Sequence, residues 1–299
     1  MNAARRFFSA LRRVAAPAKS PTALAPPRIG LALGGGFARG IAHVGVLEAL
    51  ERNHIPIHCI TGVSAGSIVA AAYASGATPS EIGRAGCAMR FGDVARWSLS
   101  RMGFVVSERM KRFLERLLKQ NRFEAMRIPL GVLATDLCTG DPVCFSGTGD
   151  VFLPIRASCS YPGLFQPVRS GERLLVDGAM SMEIPAGLAR RLGATHVISV
   201  HLPAQDGTCP PTNMFQVVNR CFQIMQTRTE QSWRAESDLV ITPAVSGMAW
   251  DAFGSGAALI QAGDSAAMAA LPMIEKWLGR QAPATPPLQV QTAAQGVAG

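Results

Sequence analysis

The chain has 299 residues, of which 48% are hydrophobic and 16% charged. That supply of apolar side chains fills a large core and excludes a disordered chain. Its 30 glycines and 20 prolines follow no period, which excludes collagen and solenoid repeats, and no run of 18 apolar residues marks a transmembrane helix.

The net charge of +9 is concentrated at the start. Residues 1–28 hold six basic side chains (Arg5, Arg6, Arg12, Arg13, Lys19 and Arg28) and no acid, leaving 23 basic against 20 acidic residues in the rest. No basic stripe with interleaved aromatics follows, so a nucleic-acid partner is not expected. At about 100° per residue, Phe7, Phe8, Leu11, Val14 and Ala15 share one side of a helix over 3–16, and Arg5, Arg6, Arg12 and Arg13 the other. This is the pattern of an arm lying on an anionic membrane surface; a disordered basic leader and an Arg-rich transit peptide are the alternatives. Residues 16–27, with four prolines, read as a linker.

A folded domain is expected over 28–280. Ile29–Leu33 reads as a buried strand, followed by a glycine-rich turn and a helix over Ile41–Arg52. His58–Val63 is a second strand, running directly into a helix from Ala65 to about Tyr73. Over Ser107–Gln120, the residues Met110, Phe113, Leu114, Leu117 and Leu118 share one helical face. Further strands are expected at Pro129–Thr135, Val143–Phe145, Leu174–Val176, Val197–Val200 and Leu239–Ile241, with long helices at Asn213–Glu236 and Ser265–Gly279. Strands separated by helices predict an α/β fold, a three-layer α/β/α sandwich around a mainly parallel sheet. The uncharged stretch 281–299 reads as a flexible tail.

Seven cysteines (59, 87, 138, 144, 159, 209 and 221) form no CxxC and no zinc-type spacing. Most sit in apolar runs, where a free thiol acts as a small hydrophobe. A reducing, cytoplasmic setting is expected, and no metal or cofactor.

The chemistry lies in three short segments. Gly62-Val63-Ser64-Ala65-Gly66 is a GxSxG between a predicted strand and a predicted helix, the setting that holds a nucleophilic serine on a strained turn. Gly62 and Gly66 are expected where backbone passes too close for a Cβ. Gly34-Gly35-Gly36-Phe37-Ala38-Arg39-Gly40 also links a strand to a helix, and its backbone N–H groups suit an oxyanion or a phosphate. The third glycine of GxGxxG would fall at Arg39 and no Walker lysine follows, so Ser64 favours the oxyanion reading. Val176-Asp177-Gly178-Ala179 places a carboxylate at a strand's carboxyl end. The serine needs a base, and the residues alone leave open Asp177 or one of His43, His54, His58, His196 and His201.

These motifs in this order resemble the patatin-like phospholipase family. Ala134-Thr135-Asp136-Leu137-Cys138-Thr139-Gly140 is similar to the family's ATDLxTG, and Arg156-Ala157-Ser158-Cys159-Ser160-Tyr161-Pro162-Gly163 to its RASxxxPG. The resemblance covers about Ile29 to Leu202. It implies a serine acyl hydrolase of phospholipids, lysophospholipids or related lipid esters, with Ser64 as nucleophile and Asp177 as its partner and base. It further implies an oxyanion hole at Gly35, Gly36, Phe37, Ala38 and Arg39, with Gly62, Gly66 and Gly178 supporting the motifs. Two departures stand out: Phe37 occupies the third glycine of the family's GGGxRG, and Met182-Glu183 stand where Asn-Asn is frequent. The rival readings are an α/β-hydrolase with a Ser-His-Asp triad and a non-catalytic lipid-binding protein on the same fold.

Overall fold

The computed structural model describes residues 26–94, 96–98, 101–203, 210–248 and 253–280. The expected arm, all but the last two residues of its linker, and the uncharged tail lie outside the described residues. The sheet's parallel part comprises β1 (Ile29–Leu33), β2 (Ile57–Gly62), β5 (Leu130–Asp136), β9 (His196–Val200) and β10 (Leu239–Ile241), in the order β10-β9-β1-β2-β5. Leu33 pairs with Gly62 on one side and Val200 on the other, so the carboxyl ends of β1, β2 and β9 finish level.

Consecutive residues of these strands enter two different cores. Ile29, Leu31, Leu33, Ile60, Ile198 and Val200 join one cluster; Ala32, Cys59 and Val197 join another. A strand buried on both faces reads as a continuous apolar run, which is why β1 and β9 are visible in the sequence. Helices α1 (Ala42–Arg52), α2 (Ala65–Ser75) and α9 (Gly256–Trp277) contribute to the first cluster, and α7 (Ala186–Arg191) with Trp233 of α8 (Met214–Ala235) to the second. The three-layer α/β/α arrangement expected from the sequence is present.

Beyond β5 the sheet becomes antiparallel. β6 (Pro142–Ser146) returns along β5, while β7 (Val168–Ser170) and β8 (Arg173–Asp177) form a hairpin next to it. Connections this short have no room for the crossover a parallel pair needs. β6 pairs with β5 from Gly131 to Thr135 and fills one of its edges. β2 meets β5 at Leu130–Val132 and β8 meets it at Ala134–Asp136, both therefore on the other edge. Running toward each other, β2 and β8 end at Gly62 and Asp177, which pair with Val132 and Ala134 and leave Leu133 between them.

Several elements have no counterpart in the sequence reading: α3 (Pro79–Ala88), the four-residue α4 (Phe91–Val94), the β3–β4 hairpin (Arg96–Trp97 and Val105–Val106), α6 (Phe152–Ser158), β7 and α7. The expected helix at 107–120 forms as α5 (Glu108–Leu117), with Met110, Phe113, Leu114 and Leu117 buried. Of the six described cysteines, Cys59 and Cys159 are buried and Cys87, Cys138, Cys144 and Cys221 exposed, so most are not the core residues their apolar neighbours suggested.

Helix α9 starts nine residues before the expected Ser265. It is long and apolar enough to span a membrane by length and composition, alone in this among the described residues. Here it packs along α1, backbone against backbone: a Cβ on Gly45 would collide with the Ile260 carbonyl, and one on Gly263 with the Ala42 carbonyl. Arg52 and Asp264 close the contact with an ion pair at 2.6 Å. Gly263→Ala is expected to force the helices apart, at a cost of about 1–3 kcal/mol. Thermal unfolding checks this: Tm should fall by several degrees, while Gly247→Ala, where nothing lies in the way of a new Cβ, leaves it unchanged.

Candidate active site

Ser64 sits where β2 turns into α2, at φ 51° and ψ −129°, a conformation that costs a non-glycine residue roughly 1–3 kcal/mol. The neighbours leave the chain no alternative. A Cβ on Gly62 would strike the Gly66 carbonyl, and one on Gly66 the carbonyls of Leu33 and Gly34. The elbow is pinned by Ser67, whose N–H and hydroxyl both donate to the Ser64 carbonyl, at 2.9 and 2.6 Å. The Ser64 N–H donates to Ser158 Oγ at 2.9 Å.

Asp177 ends β8 and is 1% exposed. Its N–H donates to the Ser160 carbonyl at 3.0 Å, so the last residue of α6 and the segment just after it hold the backbones of both residues. Oδ1 accepts the Ala179 N–H at 3.0 Å, and Oδ2 has no hydrogen-bond partner among the described residues. Burial raises the carboxyl to about 7, against the opposing pull of the Ala179 N–H and the Ser64 hydroxyl. The Ser64 contact is therefore looser than a standard hydrogen bond, common in catalytic pairs that tighten on substrate. Gly178 packs under Leu133 and Val63, too close for a side chain.

The glycine loop rests on the serine: a Cβ on Gly35 would lie 3.3 Å from Ser64 Cβ. Gly34 is fixed at both ends, its N–H donating to the Val200 carbonyl at 3.1 Å and its carbonyl accepting from His43 Nε2 at 2.9 Å. His43 is fully buried, and burial lowers it to about 4, so it is neutral with its proton on Nε2. The Arg39 guanidinium donates to the Pro203 carbonyl at 2.6 Å and the Gly36 carbonyl at 3.5 Å, while its N–H closes the turn onto Gly36. Ala38 is buried beneath that turn.

Phe37 takes a left-handed φ of 51°, the backbone that glycine adopts without penalty, and its ring packs edge-on against Tyr161 at 5.1 Å. Phe37 thus holds the left-handed backbone that glycine would adopt there and adds an aromatic wall.

Ser64, Asp177, Gly35, Gly36, Phe37 and Arg39 line one cavity with about 510 Å³ of free space, part of it open to solvent. Asn219, Gln223 and Gln226 of α8 complete it, together with Glu183. None of the five histidines lines it. His43 serves Gly34; His196 stacks on Trp277 at 4.8 Å; His201 lies 3.3 Å from Glu183; His54 follows α1; His58 lies in β2. Glu183, a departure without a role in the sequence, also offsets the burial that lowers the Arg39 guanidinium. Sequence reasoning missed Ser158 and Ser160 as backbone clamps, although RASxxxPG had marked their segment. It missed the α8 amides altogether, since nothing local ties a distant helix to Ser64.

A three-layer α/β protein with a strained serine at the carboxyl end of its sheet and a buried carboxylate opposite has, as a class, a serine-elbow architecture. The chain belongs to the patatin-like phospholipase family, whose model matches residues 31–190. It is 31% identical over 201 residues to an uncharacterised NTE family protein of Mycobacterium bovis, covering 60% of this chain and 52% of that protein. Lysophospholipase NTE1 of Cryptococcus neoformans is 33% identical over 192 residues, 61% of this chain and 12% of that one. The chain thus aligns with about half of the first relative and a small part of the second. The crystal structure of VipD from Legionella pneumophila shares the fold, with a TM-score of 0.56 at 13% identity over 85% of this chain and 67% of that one. β9, β10 and α9 lie beyond the family match yet complete the same sheet and core.

Asp177 also sets a pH dependence of stability. Its carboxyl titrates near 7 in the fold and near 3.9 in an unfolded chain, so the native state binds the proton more tightly. Stability is therefore lost as pH rises from about 4 through 7. Asp177→Asn removes this loss: its Tm is expected to exceed that of the wild type by a few degrees at pH 8 and to converge on it near pH 4. A difference that does not vary with pH would contradict the shift.

Proposed function

We propose that the protein is a serine acyl hydrolase cleaving phospholipid, lysophospholipid or related lipid esters through a Ser64–Asp177 dyad. The observation that carries this reading is the meeting of Ser64 and Asp177, from opposed strand ends, in one cavity floored by the glycine loop. Family membership and the lysophospholipase name of the fungal relative support the substrate class.

Asp177 takes the Ser64 hydroxyl proton as Oγ attacks the ester carbonyl carbon. The tetrahedral oxyanion is met by the N–H groups of Gly35 and Gly36, which have no other partner among the described residues, each worth about 3 kcal/mol of barrier. Of the other expected oxyanion residues, Arg39 has its N–H on Gly36 and supports the loop through its guanidinium, Ala38 packs beneath it, and Phe37 walls the acyl side. Collapse expels the alcohol, which takes the proton from Asp177, and leaves an acyl-serine. Water then attacks that ester, giving its proton to Asp177, and the fatty acid leaves as Ser64 is reprotonated. A carboxyl near 7 is a stronger base than an ordinary aspartate and is about half ionised in neutral solution. The chain's own groups supply every proton transfer, so no metal or cofactor is required.

Ser64→Ala and Asp177→Asn are each expected to lower kcat on lysophosphatidylcholine by about a thousandfold or more, with the fold intact. His196→Ala should keep most activity; a folded His196→Ala as inactive as Ser64→Ala would favour the triad. The pH profile of kcat/KM should rise through an apparent pKa near 7 as Asp177 ionises. Gly35→Ala should lower kcat far more than it raises KM, because the donors it obstructs act on the developing charge.

A further inference from the structure

Helix α8 turns Phe222 and Trp233 to the core and carries a second apolar face that does not pack inward. Its cavity side carries Asn219, Gln223 and Gln226, and Asn219 Oδ1 accepts the Tyr161 hydroxyl at 2.9 Å. Its opposite side is apolar and faces solvent: Met214 is 68% exposed, Val217 46%, Ile224 48% and Met225 36%, with Cys221 exposed among them. At about 100° per residue these five fall within one third of the helix circumference. At 1.5 Å per residue the stripe is about 17 Å long. An ordinary surface helix turns such a stripe to the core, and a contiguous apolar strip left outside marks a binding surface.

The stripe's surroundings favour one kind of partner. Arg220 and Arg228 border it, and the helix's one acid, Glu230, lies on the cavity side paired with Arg234. A second apolar projection hangs on the same support: the β3–β4 hairpin exposes Trp97 (71%) and Phe104 (46%), and Phe104 and Val105 donate their N–H groups to the Leu164 carbonyl. One residue away, Gly163 packs on Val218 of α8. An apolar strip bordered by arginines, on a helix whose opposite side lines the serine cavity, has the composition of an interfacial helix.

We infer that the outer face of α8, with Trp97 and Phe104, docks on an anionic lipid surface and thereby sets the Ser64 cavity against the bilayer from which substrate is drawn. The inference rests on the lipid-ester reading above for its purpose, but docking itself does not require turnover. It is also separate from the basic arm, which the stripe substitutions below leave untouched, and burial of the stripe is not screened by salt.

The test uses the full chain carrying Ser64→Ala, so that vesicles stay intact, and measures co-sedimentation with phosphatidylglycerol–phosphatidylcholine vesicles at low salt and at about 0.5 M sodium chloride. Binding is expected to persist at high salt and to weaken about tenfold or more in Val217→Glu/Ile224→Glu. Loss of all binding at high salt, or equal binding by the double variant, would overturn the inference. So would a dimer that the double variant dissolves, since the stripe would then be covered by a second copy. With Ser64 restored, the double variant should hydrolyse a soluble p-nitrophenyl ester at the wild-type rate, which verifies its fold, and vesicle lipid at a reduced rate. A wild type inert toward both esters would sink the proposed hydrolase but leave the sedimentation result to decide docking.

Discussion

Two strands that end face to face on one edge of β5 bring Ser64 and Asp177 together, and the remaining features of the site serve that approach. β2 delivers the elbow and β8 the carboxylate, one β5 residue apart. Ser158 and Ser160, fully buried, tie both backbones to the end of α6. The third component, the glycine loop, is held to the same level by β1, whose Leu33 pairs with Gly62 and Val200. Short side chains suffice because the sheet carries the chain the rest of the way.

The arrangement concentrates unfavourable terms at one place. Ser64 and Phe37 both hold left-handed backbone, Asp177 buries a carboxyl with one oxygen unpartnered, and His43 is buried with its Nδ1 unpaired. Each is disfavoured alone and tolerated because the surrounding packing leaves no better choice. Where strain and desolvation collect in one cavity, a chemical role is the usual reason.

How much of this could be read from the sequence followed the range of each signal. β1 and β10 were placed to the residue, β1 because a strand buried on both faces forms a compact apolar run, and the partly buried edge strand β10 because Leu239-Val240-Ile241 stands between the polar Asp238 and Thr242. The serine elbow and the glycine loop were legible because their glycines answer local collisions, as at Gly62 and Gly66. The approach of Asp177, and not of a histidine, to Ser64 was not legible from the residues, since it depends on the register between β8 and β5; the family resemblance implied it. The start of α9 was hidden by Gly256 and Gly263, which weaken a helical pattern but are required by contacts with Cys87 and α1. α3 was passed over although Thr78, Pro79 and Glu81 spell out a capping box with proline at the first turn. The polar face of α8 over the cavity had no local signal at all.

The ladder between β8 and β5 gives strand register control over where the Asp177 carboxylate lies. β8 pairs with β5 from Leu175 to Asp177, which places Asp177 opposite Ala134, and the turn at Gly171 and Glu172, with Gly171 at φ 59°, ties β8 to β7. Side chains alternate between the faces of a strand, so a slip of one residue would carry the Asp177 carboxylate through the sheet to its other side. A histidine on a loop can swing to recover its partner; an aspartate inside a ladder cannot. The approach of Asp177 to Ser64 is thus quantised by strand register.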